Sequence, residues 1–365
     1  MSAGRESPAH LDALTGIRGI AAWLVVLYHI RLSLTGILPV PVIGAFARGY
    51  LAVDLFFMLS GFVLWYNYAP RLRAGGLDEA GRFLWRRVAR IWPLHLLILA
   101  LFVAFALVLL ATGRDTAAYP FAELPLHVAL MQNWGFTTQL AWNDPAWSIS
   151  TETAAYLVFP ALVLAVKWER LPTGALIAGG LVLAAALALL FHRHGATGLG
   201  DDIPRLGLWR CLAEFALGNL LCLLWQRWRE SAHGGAIALA ACLAVLGAGL
   251  ALGLPEPAFV PAVFAAGLLA LALGRGVAVR VLGGRVLRYL GEISYSTYLA
   301  HTFLFLLFKL AFVDATLQLD WARLAGFLAL VLAASAGLYH GVEKPAQRWL
   351  NRRPPRRAAR ALPAE

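Results

Sequence analysis

Ten runs of apolar residues, each close to the ~20 that an α-helix needs to cross a bilayer, succeed one another along the 365-residue chain. They cover Leu11–Ile30, Gly49–Tyr68, Ile91–Thr112, Trp147–Val166, Gly174–Phe191, Leu206–Trp225, Gly235–Gly253, Phe259–Gly274, Tyr289–Phe312 and Trp321–Gly341. No soluble fold has a use for so many. Charged residues make up only 14% of the chain, against roughly 25% in a soluble domain, and mean hydropathy is +0.70. In lipid only helices and closed barrels satisfy the backbone. The spacing therefore predicts an all-α integral membrane protein of about ten transmembrane helices. Phe121–Trp134 is too short to span and reads as an interfacial helix lying on the surface.

Basic residues set the orientation. With a cytoplasmic N-terminus, 22 of the 31 Lys and Arg fall on inside segments and five on outside ones. That asymmetry predicts both termini in the cytoplasm and an even number of spans. The net charge of +11 is dispersed over short loops. A nucleic-acid partner is thereby excluded, since a phosphate-tracking surface needs a continuous polar face. Cys211, Cys222 and Cys242 lie in apolar runs without metal-ligand spacing and read as small buried hydrophobes. No metal is expected. The first run lacks a small-residue cleavage site, so no cleavable signal peptide is expected. The organisation reads as one membrane domain over 1–345 and a basic cytoplasmic tail over 346–365, partly disordered beside the anionic inner leaflet.

Charge inside the hydrocarbon costs about 2.5–3.5 kcal/mol per residue on insertion scales, so each such residue calls for a reason. The candidates are Arg18, His29, Asp54, Glu152, Arg210, Glu214, Glu292, His301 and Lys309. Arg18 and His29 are eleven positions apart on the first helix. They share a face and stand roughly 16 Å apart along the axis. Arg18 lies towards the inner side, His29 towards the outer. Asp54 begins the second span from the outside, at a depth matching His29. A carboxylate orienting an imidazole suits a general base; a structural pair joining two helices explains the same match. Glu152 and Tyr156, four apart, share a face at the outer end of the fourth span. Arg210 and Glu214, also four apart, read equally as an intrahelical ion pair. His301 either lines a polar cavity or bonds a neighbouring helix. Glu292 and Lys309 are close enough to span ends to snorkel. Arg87 and Arg90, three apart where the third span enters, obey the positive-inside rule; they also suit a bidentate phosphate clamp.

Taken in order, these motifs resemble the membrane acyltransferase family 3, which includes bacterial O-antigen and exopolysaccharide O-acetyltransferases. The resemblance runs from Leu11 to about Leu350. It is carried by the opening around Arg18 with its Arg–ten residues–His spacing to His29, and by Gly49-Tyr-Leu-Ala-Val-Asp54-Leu-Phe-Phe-Met-Leu-Ser60-Gly61-Phe62. It continues through Arg87-Val-Ala-Arg90, Trp147-Ser-Ile-Ser-Thr-Glu152, Leu290-Gly-Glu-Ile-Ser-Tyr-Ser-Thr-Tyr-Leu-Ala-His301 and Val342-Glu-Lys-Pro345. Thr153 stands where the family often has a second acidic residue, which argues against paired carboxylates there. No esterase-like C-terminal domain is expected within this length.

The resemblance implies an acyltransferase of the cell (inner) membrane. It would use acetyl-CoA or another acyl-CoA as donor and a carbohydrate or other hydroxyl as acceptor. It implies His29 as base oriented by Asp54, with Glu152 as a third catalytic residue. Arg18, Arg87 and Arg90 would meet the donor. Trp147, Ser148, Tyr156, Arg210, Tyr295 and His301 would bind the acceptor. The rival readings are a polytopic transporter or flippase for a glycan or lipid-linked substrate, which predicts inverted repeats, and a non-enzymatic sensor or scaffold.

Overall fold

The computed structural model describes residues 9–353 apart from Ala315, and among them it is all helix and turn, with no strand. Long helices follow the predicted spans within a few residues. In chain order the helices are α1 (Ala9–Ile30), the short α2 (Val40–Ala47), α3 (Ala52–Ala111), the short α4 (Leu124–Ala129), α5 (Ala146–Ala165), α6 (Thr173–Arg193) and α7 (Ile203–Trp228). After these come α8 (Gly234–Ala251), α9 (Glu256–Leu273), α10 (Val277–Leu282), α11 (Arg285–Glu292), α12 (Ser294–Phe312), α13 (Trp321–Leu338) and α14 (Lys344–Asn351).

Nine helical stretches among the described residues are long and apolar enough to cross a membrane, where the sequence predicts ten spans. The difference lies in one stretch, Val40–Ala111, of 72 residues. At 1.5 Å per residue it is far longer than the ~30 Å hydrocarbon core. It contains the predicted span Gly49–Tyr68 and all but the last residue of Ile91–Thr112, and the helix is broken between them at Gly76, which adopts φ 56°, ψ −139°. A residue with a Cβ is disfavoured in that conformation; glycine is not.

Two further expectations are corrected. Phe121–Trp134 is not one surface helix: a 3₁₀ turn and α4 occupy Phe121–Ala129, and Leu130 is left-handed at φ 56°. His127, Gln132 and Asn133 are buried there. The Asn133 amide N–H donates to Ser150 Oγ (3.1 Å) and the Trp134 indole to the Ser150 carbonyl (2.8 Å). The end of the segment is drawn inwards by polar partners on α5, while Phe121, Pro125 and Val128 remain exposed. The run Tyr289–Phe312 is likewise divided, between α11 and α12 at Ile293. Gly291 sits so close to α1 that a Cβ there would fall 1.8 Å from the Thr15 carbonyl oxygen. Ser294 caps the break by donating to the Gly291 carbonyl (2.8 Å).

The most deeply packed span is α7, which lies against α3, α5, α6 and α9. The α3–α7 contact depends on two glycines. A Cβ on Gly61 would fall 2.0 Å from the Phe215 carbonyl oxygen, and one on Gly218 2.0 Å from that of Met58. The helices meet backbone to backbone, as small residues permit inside membranes. Of the predicted tail, residues up to Asn351 belong to α14, and 354–365 lie outside the described residues. Cys211 and Cys222 are buried and Cys242 half-buried, all as free thiols.

Candidate functional site

Four helices converge on one internal cavity of about 170 Å³. Arg18 reaches it from α1, and Ser60, Arg87 and Arg90 from the two arms of α3. Ser148, Glu152 and Tyr156 come from α5, and Tyr295 and Tyr298 from α12. Seven of the candidates named from the sequence therefore share a wall: Arg18, Arg87, Arg90, Ser148, Glu152, Tyr156 and Tyr295. The two arms of α3 bring this about. Folding back at Gly76 sets Ser60 and the Arg87–Arg90 pair on adjacent surfaces, 27 residues apart along the chain from Ser60 to Arg87.

Arg18 lies within electrostatic reach of Glu152, Tyr156 and Arg87. The Arg87 guanidinium donates to the Tyr68 hydroxyl (3.0 Å) and stands over the rings of Tyr68, Phe83 and Tyr156 at 5.2–5.9 Å. Aromatic faces hold a guanidinium while leaving N–H donors for another partner. Arg90 is ion-paired with Glu343 and lies over the Tyr295 ring at 5.5 Å. The Tyr156 and Ser60 hydroxyls are 3.4 Å apart. On this wall three guanidiniums face one carboxylate, Glu152. The balance suits an anionic ligand.

The expected pairing of His29 with Asp54 is not formed. Asp54, fully buried in the first turn of α3, receives both Nε (2.6 Å) and Nη2 (2.5 Å) of Arg210. The third donor, Arg210 Nη1, goes to the Leu199 carbonyl (2.8 Å), and the guanidinium stands 5.6 Å from the Trp147 ring. A buried carboxylate is best compensated by a full, bidentate charge, and α7 offers one at this depth. Equal depth in the sequence did not distinguish the two partners. Arg210 thus does not form the intrahelical pair with Glu214; that carboxyl is fully buried against Asp54.

The partner of His29 is instead His301. His29 Nδ1 and His301 Nε2 are 3.1 Å apart, with the ring centroids 4.8 Å apart. His29 Nδ1 is also 2.9 Å from the Val25 carbonyl, and His301 Nδ1 2.7 Å from that of Tyr298. Carbonyls only accept, so both Nδ1 atoms carry hydrogen in this arrangement. His301 Nε2 is then the acceptor between the rings, and the lone pair of His29 falls on Nε2. Tyr298 connects this pair to the cavity. It lines the cavity, its hydroxyl is 2.7 Å from Ser148 Oγ, and its ring centroid is 6.2 Å from that of His301.

Trp147, Arg210, Asp54, His29 and His301 do not line the cavity. The sequence reading also missed several groups. Glu343 lies in the late Val-Glu-Lys-Pro motif but was not counted as intramembrane. His95, five residues beyond Arg90, is buried and bonds the His127 carbonyl (2.7 Å); the same test of charge inside apolar runs would have found it. Asn143 ties α12 by donating to the Leu299 carbonyl (2.9 Å) and accepting from Thr302 (2.7 Å). No sequence pattern marks that contact. Among the described residues no cluster of three or more His, Cys, Asp or Glu is placed to hold a metal.

The model of the acyltransferase domain family matches residues 11–340 of the sequence. This chain belongs to the membrane acyltransferase family 3. It is 30% identical to the acyltransferase MdmB of Streptomyces mycarofaciens, over 94% of each chain. It is 28% identical to a protein named as membrane-bound transacylase BcsY, of Komagataeibacter xylinus, over 93% of this chain and 84% of the other. It is 24% identical to the O-acetyltransferase OatA of Staphylococcus aureus, over 60% of this chain and 35% of that longer one. No solved structure matches it. The enzyme is accordingly an acyltransferase with many membrane helices.

Proposed function

We propose that this acyltransferase carries an acyl group, acetyl in the first instance, from cytoplasmic acyl-CoA to a hydroxyl of a carbohydrate or related acceptor. The observation that carries the reading is the single cavity in which Arg18, Arg87 and Arg90 meet, with the His29–His301 pair one helical turn beyond it at Tyr298. Arginines entering from the basic, inner ends of the spans suit the phosphates of CoA. The cavity is smaller than the roughly 300–1,000 Å³ of sites that enclose a whole drug-sized ligand. It admits the pantetheine end of the donor while the adenosine stays outside.

His29 Nε2 takes the proton of the acceptor hydroxyl as its oxygen attacks the thioester carbonyl. The tetrahedral intermediate collapses with cleavage of the C–S bond. The imidazolium returns the proton to the departing thiolate, leaving ester and free CoA. A transient acyl group on His29 Nε2, later passed to the acceptor, uses the same residues. His301 keeps the reactive nitrogen of His29 turned outwards, the part first expected of Asp54. Asp54 and Arg210 brace α3 against α7. Glu152, Ser148 and Tyr156 line the approach for the acceptor, and Trp147 supports Arg210. The basic-residue asymmetry and the two arms of α3 support an inner-membrane topology of ten passes with both termini in the cytoplasm.

Purified enzyme incubated with labelled acetyl-CoA and a panel of sugar and glycoside acceptors tests the reading. Label transferred to a hydroxyl, or CoA released only when acceptor is present, is the expected result. If His29→Ala, inserted and folded, transfers label at the wild-type rate, the catalytic assignment is wrong.

A further inference from the structure

Glu343 is a carboxylate buried almost completely between α13 and α14, 1% exposed. It is the last residue of a π-helical turn, Tyr339–Glu343, through which α13 passes into α14. Such widened turns are rare and are frequently found at functional sites. Its two oxygens have separate partners. Oε2 accepts from Ser296 Oγ at 2.7 Å, and Oε1 is ion-paired with Nη1 of Arg90. Arg90 lines the cavity whereas Glu343 does not. The carboxylate therefore holds the guanidinium from behind.

We propose that Glu343 is a positioning residue for the acyl donor. It fixes one edge of the Arg90 fork and so presents the remaining N–H donors to the cavity. The proposal rests on the reading that Arg90 meets the CoA phosphates. A guanidinium carries five N–H donors in a rigid plane. Anchoring Nη1 determines where the others point. Without the anchor, the long side chain has to be ordered by the ligand itself, and that cost appears as weaker binding. An opposing effect exists: a carboxylate behind Arg90 offsets part of its charge, and removing it would make the cavity more positive. Orientation outweighs it here because Arg18 and Arg87 already supply positive charge at the same wall, whereas among the described residues the carboxylate of Glu343 is the one anionic group paired with Arg90. The link through Ser296 adds a second consequence. Ser296 lies between Tyr295 and Tyr298 on α12, so the same carboxylate ties the arginine to the helix that carries His301.

The test compares Glu343→Gln, Glu343→Asp and Ser296→Ala with Arg90→Ala in the full-length enzyme, each checked for monodispersity and thermal stability in detergent. Glu343→Gln keeps the volume and an oxygen for Ser296 but loses the charge. It should raise the acyl-CoA KM about tenfold, with kcat and acceptor KM changed less than about twofold. Glu343→Asp should recover part of the donor affinity, and Ser296→Ala should leave the donor KM within about twofold. If Arg90→Ala raises the donor KM but Glu343→Gln leaves it unchanged or lowers it, the positioning role is overturned while the donor-site reading stands. If Arg90→Ala itself leaves the donor KM unchanged, the donor-site reading fails. A Glu343→Gln enzyme that loses thermal stability yet keeps its donor KM would make the residue structural and would also overturn the proposal.

Discussion

His29 Nδ1 and His301 Nε2 face each other at 3.1 Å, with both Nδ1 atoms directed at carbonyls of their own helices. The tautomer of the pair is thus set by backbone, and no carboxylate is needed to set it. Replacing His301 by Ala removes the acceptor for His29 without adding charge. Turnover should fall while the donor KM stays near wild type, because the arginine wall is untouched. Loss of His29 itself should cost the ~10²–10⁴-fold typical of a general base, or more if an acyl group forms on it. His301→Gln, which offers an amide oxygen at a similar reach, should recover part of the kcat that His301→Ala loses. Steady-state kinetics on the three variants decides this; wild-type kcat in His301→Ala would remove the pair from the mechanism.

Asp54 and Arg210 call for a different experiment, because their effect should be on folding. Removing one member of a fully buried ion pair costs about 3–5 kcal/mol, since the other is left uncompensated. Asp54→Ala and Arg210→Ala should each lower the thermal transition in detergent markedly. The joint change to apolar residues of similar volume, Asp54→Leu with Arg210→Met, should be milder than either. A double-mutant cycle measures the difference. Additive losses would show that the pair does not couple α3 to α7.

Much of this fold was legible because the bilayer leaves few options. Helix positions follow from apolar run length, and α5 to α9 begin and end within about three residues of the spans read from sequence. The breaks were less legible. Nothing in the hydropathy of Tyr289–Phe312 shows that Gly291 is pressed against the Thr15 carbonyl, since that contact belongs to α1. The site divides in the same way. The motifs picked out Arg18, Arg87, Arg90, Glu152 and Tyr156 but set the arginines towards the inner side and Glu152 and Tyr156 at the outer end of their span, whereas the fold brings all five to one wall. Depth alone assigned His29 to Asp54, because depth constrains position along the membrane normal and says nothing of direction around it. The helix facing Asp54 is α7 and the helix facing His29 is α12. Only packing separates those alternatives.

Arg87 should act on the donor alone. Its guanidinium is held by the Tyr68 hydroxyl and by aromatic rings, and no carboxylate among the described residues is bonded to it, so it keeps charge available for phosphate. Arg87→Ala should raise the acyl-CoA KM by about tenfold or more, the worth of a charge-assisted contact. Arg87→Lys should recover only part, since an ammonium does not reproduce the planar fork. A substrate lacking the CoA nucleotide, such as an acetyl-pantetheine thioester, should respond less to either change. Equal effects on both donors would place Arg87 away from the phosphates.

The closest test of how α3 meets α7 is a single methyl group. Gly61 lies in the second-helix motif, and a Cβ there would fall 2.0 Å from the Phe215 carbonyl oxygen, where backbone cannot yield cheaply. Gly61→Ala must push the helices apart. Overpacking of this kind costs typically 1–3 kcal/mol, and the movement is transmitted to both residues flanking the contact. Ser60, next in the chain, lines the cavity, and Asp54 lies about two turns away on the same helix. The variant should lose thermal stability and turnover together. A methyl at Gly81, where no atom lies within 4 Å, serves as the control on the other arm of α3 and should alter neither. If Gly61→Ala behaves like that control, α3 and α7 do not pack as closely as their glycines indicate.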